Sequence, residues 1–123
     1  MKHDTDTRRK IDRITQRDNR YRAHAYSFVM AAVEYTISLL PEPRHVSAEE
    51  LLEGLRRYAI EEFGPMAKQV FNHWGVVSTE DFGNIVYNLI DQGLLSRREE
   101  DRLEDFRGVY DFEKVFEEDY YRG

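Results

Sequence analysis

Between Ser47 and Leu95 the chain is punctuated so densely by helix-starting and helix-ending residues that only short, sharply bounded helices fit it. Ser47 can serve as an N-cap, and Glu50 three residues on completes a capping box with Val46 and Leu51 as its hydrophobic staple. Leu52, Leu55, Ala59 and Phe63 then recur at helical spacing, with Glu53 ahead of Arg56 and Arg57 on the wet face. Gly64 ends that helix, and Pro65 suits the first turn of the next, where Met66, Val70 and Trp74 share a side and Gly75 closes it. The pattern repeats: Val77, Ser78, Asp81 and Phe82 give a staple with a capping-box-like pair, and Phe82, Ile85, Val86, Leu89 and Ile90 make an apolar face. Gly93 falls where a left-handed residue is wanted, with Leu94 placed for the accompanying contact.

Upstream, Ala23 to Leu40 is apolar on two stripes, as a helix at the centre of a fold would be, and Pro41 and Pro43 stop it. Its length approaches a membrane span, but Glu34 in mid-stretch would be costly in hydrocarbon, so a buried core helix is expected. The N-terminus has no apolar run of the kind a secretory signal carries. A cytoplasmic protein without membrane contact is the expectation. Residues 1–22 carry eight positive and four negative charges, a basic arm or short helix with Ile11 and Ile14 as a narrow apolar stripe. The net charge of −6 over 123 residues is therefore a basic arm on a body of −10.

Residues 23–123 read as one helical domain with an acidic, aromatic C-terminal segment. Ser96 to Asp105 is dense in charge of both signs and reads as a wing, a helix or a loop. Phe106, Val109, Tyr110, Phe112, Val115, Phe116, Tyr120 and Tyr121 follow among acidic residues. Part of this segment is expected to pack back on the helices, with a short terminal helix from about Asp111 to Asp119. The fold class is all-α: a compact single domain of five to seven helices, compatible with a winged-helix-like core.

The landmarks Phe63-Gly64-Pro65, His73-Trp74-Gly75, Glu80-Asp81-Phe82-Gly83 and Asp105-Phe106-Arg107-Gly108 give the chain a distinctive signature. From about Arg20 to Phe116 it resembles a family of small uncharacterised bacterial proteins. The resemblance implies a single domain and carries no activity, ligand or partner with it.

Zero cysteine removes disulfide scaffolds, thiolate metal sites and cysteine nucleophiles together. The four histidines fall on different segments, and Glu42-Pro43-Arg44-His45 copies a di-iron spacing that its flanking prolines keep out of a helix. Asp81-Phe82-Gly83 copies a kinase magnesium triplet, yet a chain of this length cannot hold the rest of a kinase. No phosphate-cradling glycine loop occurs, and Ser47 and Ser78 read as caps. No catalytic residue, metal ligand or cofactor is expected.

By exclusion the expected role is a protein–protein interaction or adaptor module, its partner another protein or a second copy of itself. The candidate interaction residues are His73, Trp74, Arg107 and Tyr110. The alternative is a nucleic-acid-binding regulator whose contacts are Arg9, Arg13, Arg17, Arg97 and Arg98. The three helices before Gly93 imitate a winged-helix core with Arg97, Arg98 and Arg102 in its wing. Its would-be recognition helix, however, exposes Thr79, Glu80, Asp81, Asn84, Asn88 and Asp91, and a face without a basic residue is poorly made for phosphate. Nucleic acid is thus the disfavoured partner. A small-molecule enzyme with carboxylates and histidines converging from distant positions is a third, weaker alternative.

Overall fold

A computed structural model describes residues 2–96 and 102–118, with side chains for Thr5–Ser96 and Arg102–Phe116. In it the Ser47 hydroxyl accepts from the Glu50 amide at 3.1 Å, and the Glu50 carboxylate accepts from the Ser47 amide at 2.9 Å. This reciprocal pair satisfies two of the donors that every helix start leaves open, and it begins α3 (Ala48–Phe63) where the sequence places it. Before it come α1 (Lys2–Arg17) and α2 (Ala23–Ser38), and after it α4 (Ala67–Trp74) and α5 (Thr79–Asp91). Gly64–Met66 forms a 3-10 turn ahead of α4, so Pro65 opens that turn rather than the helix itself. A second 3-10 turn covers Leu103–Phe106, and Lys114–Glu118 closes the described chain as a π-helical turn where the short terminal helix was expected.

Glycine terminates two helices in the way the sequence demands. Gly75 (φ 88°) and Gly93 (φ 74°) are left-handed, and the following amides of Val76 and Leu94 bond back to the carbonyls of Phe71 (2.8 Å) and Leu89 (2.9 Å). The start of α5 departs from expectation. Ser78 makes no capping bond with its side chain; instead the Asp81 carboxylate reaches back to the Val77 amide at 2.9 Å.

The centre of the fold is α2, whose Tyr26, Val29 and Ala32 are fully buried. It lies so close to α3 that a Cβ on Gly54 would stand 1.8 Å from the Thr36 hydroxyl oxygen. On the far side Phe71, fully buried, meets the rings of Phe28, Phe63, Trp74, Phe82, Phe112 and Phe116 at centroid distances of 5.3–6.2 Å. The C-terminal segment therefore completes the core: Phe106, Phe112, Val115 and Phe116 are all buried. Phe106 packs onto Gly83, where a Cβ would approach its ring and Cβ to 2.7 Å.

The N-terminal segment is part of the same body. Ile11 and Ile14, 4% and 1% exposed, seat α1 on α2 and α5 by its apolar stripe. The described residues are all-helical with no strand, in a single compact domain. Of the Ser96–Asp105 stretch, expected as a wing, a helix or a loop, residues 97–101 lie outside the described residues and Leu103–Asp105 belong to the 3-10 turn. No helix among the described residues is long and apolar enough to cross a membrane.

Candidate functional site

The polar side of α5 is where the structure differs most from the expectation. Thr79 is 1% exposed, and its hydroxyl accepts from the Val109 amide at 3.2 Å. Asp81 accepts the Tyr21 hydroxyl proton at 2.5 Å, and the Asn84 amide donates to that same phenol oxygen at 2.9 Å. The Asn88 amide donates to Asp18 (3.0 Å) and to the Tyr26 hydroxyl (3.1 Å). Arg20 grips Asp18 through two guanidinium nitrogens at 2.9 and 2.7 Å. Of the six residues expected on an exposed face, only Glu80 and Asp91 are fully exposed, and Glu80 pairs with Arg107 at 3.0 Å. The reason is that the turn between α1 and α2 lies along this face and takes up its amides and carboxylate.

This seam shifts its ionisable groups in the directions its bonds require. The Arg20 fork holds the Asp18 carboxyl well below the usual carboxylate range, with the Asn88 amide adding to the effect. Burial, then the bond to Asp81, pushes the Tyr21 phenol up. A phenol so placed stays protonated and acts as a fixed donor, a positioning role rather than a chemical one.

The sequence-predicted interaction residues separate into two environments. Trp74 is half-buried among Phe28, Phe63 and Phe71 and carries the His24 ring stacked on it at 6.4 Å. His73 is exposed, and its carbonyl accepts from the Arg22 guanidinium at 3.1 Å. Arg107 is exposed and tied to Glu80. Tyr110 points inward: its hydroxyl donates to the Leu52 carbonyl at 2.8 Å, and burial raises its pKa. Arg9, Arg13 and Arg17 are exposed on α1. Arg97 and Arg98 lie outside the described residues.

A cleft of about 280 Å³ opens between α2, the start of α3 and the end of α5. Val33 and Ile37, Val46 and Leu51, and Val86 and Ile90 form its walls, and Leu94, Leu95 and Phe106 extend them. His45, Ser47, Tyr87 and Ser96 bring polar groups to its border. Pro41 and Pro43 end α2 and carry the chain across to the start of α3, which walls the third side of the cleft without filling it. Sequence reasoning assigned these residues to the core, since their spacing is that of core residues. The only signal in the sequence was the excess: α2 is apolar on two stripes, more than one neighbour can cover. Among the described residues no three imidazole or carboxylate groups converge as a metal site requires.

Comparison with protein-family models, with curated proteins and with solved structures finds no match to this chain. The functional reading accordingly stands on the geometry.

Proposed function

We propose that this chain is a non-catalytic interaction module, with the cytoplasm as its compartment, that receives two bulky apolar side chains of a partner polypeptide in the cleft between α2, α3 and α5. The observation that carries the reading is the cleft: a preformed apolar trough walled by three helices and open to solvent. An apolar cavity of about 150 Å³ takes up benzene, so this volume suits two groups of that size. Hydrophobic grooves between helices commonly receive such paired anchors from an amphipathic helix. The imidazole of His45 and the hydroxyls of Ser47 and Ser96 lie where a partner's backbone would need hydrogen-bonding groups.

The test is a peptide library selected against the intact chain. Binders should share two bulky apolar anchors, shift the methyl resonances of Val33, Ile37, Ile90 and Leu94, and lose at least tenfold in affinity on Ile90→Glu. Ile37→Gln, a milder change on the opposite wall, guards against a folding defect. Selected peptides that bind both folded variants as well as the parent would overturn the proposal.

A further inference from the structure

Arginine is used in two ways in this molecule. On the body, Arg20, Arg44, Arg56, Arg57 and Arg107 each hold a carboxylate, with N–O distances of 2.7–3.3 Å. On α1, Arg9, Arg13 and Arg17 are exposed, and among the described residues their side chains have no ion-pair or hydrogen-bond partner. The helix docks by Ile11 and Ile14, and the Asp18–Arg20–Asn88 seam anchors the turn that follows it. The described carboxylates of the body thus have no hold on these three arginines, although the chain is acidic overall.

Spacing of four residues puts the three guanidinium groups on one face, about 6 Å apart along the axis. Lys10 beside them pairs with Asp6 at 3.4 Å, which occupies one carboxylate of this helix. Asp12 is also exposed on this helix, on the flank away from Arg17. We propose that the outer face of α1 docks the phosphate backbone of a nucleic acid, without reading its sequence. Three facts favour that occupant. The charges form a line with a regular repeat, as a phosphodiester chain does. They are all arginine, whose planar fork matches phosphate oxygens. Apart from Gln16 the face carries none of the aromatic and amide side chains that read base edges or stack on bases. The body's charge opposes a polyanion, but a helix is about 10 Å across and the screening length at 0.1 M salt is also about 10 Å, so the outer face is largely shielded from it. This surface shares no residue with the cleft and stands or falls separately from it.

The experiment is a salt titration of the whole chain with a random-sequence DNA duplex. Neutralising three phosphates predicts a slope near −3 in log K against log salt, a loss of about forty-fold between 50 and 200 mM. The triple variant R9A/R13A/R17A should keep its helicity and melting temperature, since alanine is the best helix former and no contact is removed. It should lose most of the affinity and nearly all of the slope, and lysine at the three positions should restore both in part. No binding in about 50 mM salt, or binding unchanged in the alanine variant, overturns the proposal. Equal binding of polyglutamate or of phosphatidylserine vesicles at matched charge also overturns it, in favour of an acidic protein or a membrane surface.

Discussion

Helix α5 is held from two sides by two different kinds of contact. On one side Phe82 enters the aromatic core around Phe71; on the other Asp81, Asn84 and Asn88 enter the seam with Tyr21, Asp18 and Tyr26. The aromatic side is broad and non-directional, with ring pairs from stacked to edge-on. The seam is narrow and directional, and each of its polar groups has a named partner. No buried side-chain polar atom among the described residues is left without one. Packing of the first kind supplies most of the stability, whereas bonds of the second kind fix which way the α1–α2 turn lies. That orientation decides which face of α1 is turned outward.

The largest break in this contrast is Phe71→Ala, which should cost about 3–5 kcal/mol and unfold both sides together in a denaturant titration. Next is Gly54→Ala, whose methyl would meet Thr36 across the α2–α3 contact; overpacking of this kind costs about 1–3 kcal/mol. Thr36→Ala on the same background should recover part of the loss, and an undiminished penalty would show that backbone, not the hydroxyl, is the obstacle. Tyr21→Phe removes the seam's central donor and should cost about 1–2 kcal/mol, because Asp81 and Asn84 lose a buried partner. Its signature is regional: hydrogen exchange should quicken along α1 and hold steady in α3.

The smallest effect is the acid limb. Asp18 is held low by the Arg20 fork, and Glu50 is pulled down to about 2 by the Arg44 fork and the Ser47 amide. Both carboxyls take up a proton less readily folded than unfolded, so they stabilise the fold above the ordinary range near pH 4. That contribution fades as pH falls through the interval from about 4 toward 2. Asp18→Asn should flatten this limb of a melting-temperature profile by lowering the neutral plateau, while the acid end, where Asp18 is protonated anyway, stays almost unchanged. An identical limb in the variant would place the acid sensitivity elsewhere.

These two kinds of contact also mark where the sequence was readable. The Ser47–Glu50 box and the Gly93–Leu94 terminator are legible because both partners sit within one turn of each other. Ile11 and Ile14 are legible because three-residue spacing has only one meaning on a polar helix. Asp81 was read as a cap and a solvated carboxylate; its principal partner, Tyr21, is 60 residues away and nothing local announces it. Gly54 stands in a helix where alanine would be favoured on propensity alone, and only the approach of Thr36 gives the reason. The cleft was hidden for the opposite reason: Val33, Ile37 and Ile90 obey the core pattern, and a pattern does not say whether a third helix arrives to cover it.

The Tyr21–Asp81 bond has a partner in the Tyr110–Leu52 bond, which spans 58 residues. Each fastens one end of the chain to its middle. Closing a loop of that size costs entropy that the short α2–α3 hairpin never meets. Folding should therefore start in the hairpin and reach both ends last. During synthesis α1 is made before α5, so Tyr21 must wait for Asp81, and until then α1 can rest only on α2.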